Sequence, residues 1–148
     1  MSSFEEILAR DGRLVYKTRG FSMLPMLHEN RDLVMIEPPK GRLQKYDVAL
    51  YRRGKAYVLH RVIAVRDGDY LIRGDNTYAD ERVPDAAVIG VLTGFTRKGK
   101  TFSTADRRYQ RYVRFWCAVY PVRKLLVRGR RLLGRILRKL GLRKPRSA

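Results

Sequence analysis

The chain has 148 residues, 45% of them apolar, with 33 Lys and Arg against 14 Asp and Glu and a single cysteine. Such a length supports one compact domain with its own core plus an appendage, not two comfortable domains. A lone cysteine excludes an internal disulfide framework and cannot by itself build a zinc site, so no cofactor or metal is expected; no run approaches the roughly 18 apolar residues of a membrane span.

The charge is unevenly placed. Residues 107 to 148 hold 15 Lys and Arg and no Asp or Glu, which leaves a nearly balanced body before them. The composition therefore divides the chain into a body, 1–104, and a basic helical tail, 105–148, that will seek an anionic surface.

In chain order, "SSFEEILARDG" predicts a short helix with Ser2 or Ser3 as N-cap, Glu5 or Glu6 completing a capping box, and Asp11-Gly12 as its end. Acids stand where a secretory signal would carry bases, so no export signal is read. Six β-type runs follow: "RLVYKTR", "DLVMIE", "YDVALYRR", "KAYVLHRVIAV", "DYLIRG" and "AAVIGVLTGFTR". They are separated by Pro38-Pro39, Gly54-Lys55, Asp67-Gly68 and Lys98-Gly99-Lys100. Short strands and tight turns argue a mainly β, antiparallel folded sheet or barrel. From Asp106 the pattern turns helical, with Pro121 separating two helices.

Three residues carry candidate chemistry. Ser22, in "RGFSMLPML", is either a hydroxyl satisfied by the backbone or a nucleophile on a loop whose apolar neighbours form a groove. His60 shares a strand face with Val58 and Val62, where it is either a core imidazole or a base; Arg61 points to the opposite face, into solvent or a structural ion pair. Asp75, in "RGDNTYADER", is either a turn former or an orienting acid, with Asp80 and Glu81 as alternative acids. Met23, Leu24 and Pro25 are expected to shape the loop and line the groove, with core packing the other reading of Met23.

Together these stretches form a pattern. "GFSMLPML" resembles the Gly-x-Ser-Met-x-Pro box of the signal peptidase I and LexA-like (SOS-repressor-type) serine peptidase superfamily. "RDLVMIE", "YDVALYRR", "HRVIAV" and "RGDN" look like its later boxes, so the likeness runs through residues 14 to 95 in order. Histidine at position 60, in place of lysine, is similar to the endoplasmic-reticulum and archaeal type of signal peptidase. The resemblance implies a signal-peptidase-like fold and a serine endopeptidase cutting signal, leader or precursor peptides, with Ser22 as nucleophile, His60 as base and Asp75 as orienting acid. It also implies the Ser22 backbone N–H as oxyanion donor. A departure is Phe21, which stands where many members carry Gly or Asp.

In the tail, apolar residues recur at 122, 125, 126, 132, 133, 136, 137 and 140, and bases fill the remainder. This predicts an in-plane helix on an anionic membrane, aided by Trp116 and the tyrosines before it, with the protein attached peripherally at the cytoplasmic face; the other reading of the stripe is packing on the β body with its charges solvated. The contrasting expectation is a non-catalytic basic β domain whose tail binds nucleic acid or a membrane partner.

Overall fold

The computed structural model describes residues 2–142. Helix α1, Phe4–Asp11, is delimited by its own end groups. The Ser3 hydroxyl accepts from Glu6 N–H at 3.2 Å, the Glu6 carboxylate accepts from Ser3 N–H at 3.1 Å, and Gly12 ends the helix at φ 67°.

Eight strands follow: β1 Leu14–Lys17, β2 Leu33–Glu37, β3 Val48–Arg53, β4 Ala56–Val65, β5 Asp69–Arg73, β6 Glu81–Pro84, β7 Val88–Arg97 and β8 Lys100–Ser103. They form one antiparallel sheet ordered β1-β2-β7-β3-β4-β5-β6, with β8 also on β7. β6 and β8 are additions to the expected set. Register shifts at Met35/Ile36, Leu50/Tyr51 and Val62/Ala64 bend the sheet, so that both of its faces are covered.

Two apolar clusters result. One gathers Leu8, Leu14, Met23, Met26, Leu27, Val34, Ile36, Leu50, Leu59 and Phe95. The other gathers Leu43, Ala49, Tyr51, Val62, Tyr70, Ile72 and Val83. Strand β4 contributes to both, Leu59 to the first and Val62 to the second, which makes it the wall between them.

Helices α2, Arg107–Ala118, and α3, Tyr120–Lys139, follow, with Pro121 in the first turn of α3, where its missing N–H costs nothing. The chain forms two compact units, Met1–Arg114 and Phe115–Ala148. The first extends beyond the boundary that charge suggests at 104, because the start of α2 supplies buried Val113 and the Tyr109 hydroxyl to it. Among the described residues no helix is long and apolar enough to cross a membrane, and no cluster of metal-ligating side chains occurs. Residues 143–148 of the predicted basic tail lie outside the described residues.

Candidate active site

Ser22 lies in the irregular segment between β1 and β2. Gly20, at φ 82°, turns the chain into it, and Leu27 N–H returns to the Met23 carbonyl at 3.0 Å. Phe21 is two-thirds exposed, whereas Met23 is buried and pins the loop into the first apolar cluster. The serine is thus held between an exposed and an anchored neighbour. Among the described residues its N–H has no intramolecular acceptor, and its hydroxyl makes no hydrogen bond.

His60 is half-buried on β4, directly across from Ala49 of β3. Residues two apart share a strand face, so Tyr51 stands diagonally opposite His60 on the same side, with small Ala49 leaving room between them. The Tyr51 Oη lies 3.3 Å from His60 Nδ1 and donates to Glu81 Oε2 at 2.7 Å. Arg53 closes the cluster, donating from Nε to Glu81 Oε1 at 2.9 Å, from Nη2 to Glu81 Oε2, and to Tyr51 Oη.

That arrangement assigns the histidine tautomer. A phenol has one proton, and here it points at the carboxylate; Tyr51 Oη can therefore only accept from the imidazole, which places the ring proton on Nδ1. Nε2 is left with its lone pair. Burial lowers the His60 pKa from 6.5, and the Arg53 charge lowers it further, against smaller opposing effects of Glu81 and Asp75. The ring is held neutral and ready to accept. Glu81 is kept ionised chiefly by the Arg53 guanidinium, which outweighs the opposing effect of burial and is assisted by the Tyr51 hydrogen bond.

The turn 74–77 brings Ser22 and His60 to one place. Any Cβ on Gly74 would sit 2.7 Å from the Ser22 carbonyl oxygen and 3.1 Å from His60 Nε2, so glycine is required there for close approach. Asn76 then clasps the serine loop twice: its N–H donates to the Ser22 carbonyl at 2.8 Å and its side-chain amide to the Phe21 carbonyl at 3.1 Å.

Asp75, expected as the orienting acid, has a different partner. Its two oxygens accept from Nε and Nη2 of Arg61 at 2.7 and 2.8 Å, in an ion pair removed from solvent. The reason lies in strand geometry: Arg61 follows His60, so it faces the other side of β4, and a buried guanidinium must find a carboxylate. Its remaining donors reach the Tyr46 carbonyl and the Tyr109 hydroxyl. Burial disfavours the Arg61 charge, but Asp75 more than offsets this and raises its pKa. Asp80 pairs with Arg73 at 2.5 Å. Glu81 reaches His60 through the Tyr51 hydroxyl, which it binds at 2.7 Å.

A cavity of about 520 Å³ opens over these groups, lined among others by Tyr16, Ser22, Met23, His60, Thr77 and Glu81. Of the expected groove residues Met23 borders this space while also filling the core. Leu24 and Pro25 are not part of that lining: the loop turns away after Met23, and Pro25 borders a separate groove with Met26 and Phe95.

Tyr51, Arg53, Gly74 and Asn76 all escape the sequence reading. Asn76 and Gly74 stood inside the quoted Gly-Asp-Asn stretch, whereas nothing local marks Tyr51. No protein-family model matches the chain, and no curated protein matches it.

Proposed function

We propose that this chain is a serine endopeptidase of the signal-peptidase-like superfamily, with the corresponding fold, acting on signal, leader or precursor peptides. The observation that carries the reading is the convergence of Ser22 and the unprotonated Nε2 of His60 on Gly74, with Nδ1 committed to Tyr51. A neutral imidazole with a free nitrogen, lining one cavity with a serine, supplies the pair of groups that general-base catalysis needs.

Ser22 Oγ attacks the peptide carbonyl carbon while His60 Nε2 takes the hydroxyl proton. The tetrahedral oxyanion is stabilised by the Ser22 N–H, and its collapse expels the amine, which receives the proton from His60. Water then attacks the acyl-serine by the same route, releasing the acid and regenerating Ser22. Imidazolium forms transiently, and the Glu81 carboxylate behind Tyr51 stabilises it. Asp75 acts by fixing the turn that carries Gly74 and Asn76. Basic residues 107–148 attach the enzyme peripherally to an anionic membrane at the cytoplasmic face.

The test is labelling of the purified protein with a fluorophosphonate and cleavage of an extended-peptide library. Labelling at Ser22, with cleavage lost in both Ser22→Ala and His60→Ala, is the expected result. A folded wild-type chain that neither labels nor cleaves while binding duplex RNA or DNA overturns the reading in favour of a basic binding module.

A further inference from the structure

Helix α3 is two-faced to an unusual degree. At about 100° per residue, its apolar side chains from Val122 to Leu137 occupy one continuous arc of about 140°, apart from Val127. All eight of its Lys and Arg lie on the remainder, and it contains no acid. The apolar arc is open to solvent, as is most of the basic face. Val122, Leu125, Leu126, Leu132, Leu133 and Ile136 have exposures between 45% and 70%. Apolar side chains in such a row are uncommon on a surface that meets only water.

Trp116 does not belong to that arc. The Arg123 guanidinium lies 3.7 Å from its ring centroid and donates to its carbonyl at 3.0 Å, which seats the indole with the basic side. The interfacial role that composition gives to Trp116 therefore passes to the aliphatic residues of α3.

Building on the peripheral attachment just proposed, we infer that the exposed arc of α3 is the membrane-docking surface, and that its occupant is an anionic phospholipid bilayer. The helix lies parallel to the surface along its whole length of about 30 Å. Its leucines enter the acyl boundary, and its arginines extend sideways to the head groups, their aliphatic stems running along the apolar edge. Charge complementarity selects the occupant. A positive face without acids matches phosphatidylglycerol or phosphatidylserine, and the continuous arc of exposed leucines beside those arginines has no counterpart in a phosphate backbone but matches an acyl boundary.

The test uses the full chain and co-sedimentation with vesicles of phosphatidylcholine, alone or with about 30% phosphatidylglycerol. The expected result is at least about tenfold tighter binding to the anionic vesicles, with Leu133→Gln and Ile136→Gln each losing about tenfold. Both side chains are exposed, so unchanged circular dichroism is expected. Nitroxide labels on cysteines placed at 125, 132 and 136, in a Cys117→Ala background, should report one common depth. Depth that increases steadily along the helix, equal binding to neutral vesicles, or leucine variants that bind as wild type would overturn the inference. So would tight duplex RNA or DNA binding in place of vesicle binding. Ser22→Ala must bind vesicles as the wild type does, so this result stands or falls apart from the peptidase reading.

Discussion

The Tyr51 hydroxyl stands between His60 and Glu81, 3.3 Å from the imidazole Nδ1 and 2.7 Å from the carboxylate, so one phenol proton sets the state of the ring. Tyr51→Phe keeps the aromatic packing in the second apolar cluster and removes only the hydroxyl. Peptide cleavage should fall by about ten- to a hundredfold in kcat with KM nearly unchanged, less than the loss of a direct anionic partner, because the tautomer is weakened and not inverted. Nitrogen NMR of the imidazole should show proton density spreading from Nδ1 to Nε2; an unchanged tautomer would remove Tyr51 from the mechanism.

The pH dependence has a definite sign. Since burial and Arg53 depress the His60 pKa, the base stays neutral below pH 6.5 and the acid limb of kcat/KM lies below that value. Glu81→Gln removes an anion that opposes the depression and leaves Arg53 in place, so the limb moves to still lower pH while kcat falls. The same shift enters stability. Below 6.5 the unfolded chain takes up the His60 proton first. This group's contribution is therefore fully present above pH 6.5 and is lost as pH falls through the folded-state value. Urea midpoints of wild type and His60→Gln between neutral and mildly acidic pH should diverge in that direction.

Asp75 and Glu81 should separate cleanly. Asp75→Asn strands the buried Arg61 charge and should cost about 3–5 kcal/mol in urea denaturation, with activity falling as the fold loosens. Replacing the pair together, Asp75→Leu with Arg61→Met, should recover much of that stability. Glu81→Gln should reduce turnover at little cost in stability, its pair with Arg53 being partly exposed. Stability loss in Glu81→Gln matching that in Asp75→Asn would contradict the division of labour.

Gly74→Ala should abolish activity without unfolding the sheet. The added methyl has no room beside the Ser22 carbonyl, so the serine loop must move away from His60. Fluorophosphonate labelling of Ser22 should drop at least about a hundredfold while circular dichroism is retained.

What could be read from the residues alone depended on how local its cause was. The capping box of α1 and the break at Pro121 are written within a few positions, and both elements begin and end close to where those signals stand. Strand β6 is four residues ending in proline, and all four residues of β8 are exposed, so neither has an alternation to detect. In the site, alternation separates the facings of His60 and Arg61. It cannot say which of three nearby acids each would meet, since that depends on a turn packing back across the sheet. Tyr51 has no local signature because its task comes from register: a two-residue offset across β3 and β4 brings it to His60.

The Arg61 guanidinium also imposes an order on the chain's assembly. It joins the Tyr46 carbonyl, the Asp75 carboxylate and the Tyr109 hydroxyl, which come from three distant parts of the sequence. During synthesis, a nascent chain that has reached only the end of β8 holds the serine, the histidine and the glycine turn, and its buried cation already has Asp75 and the Tyr46 carbonyl but not yet the Tyr109 hydroxyl. The set of groups around the guanidinium is completed only when the first part of α2 arrives, so the basic segment begins by finishing the body that precedes it.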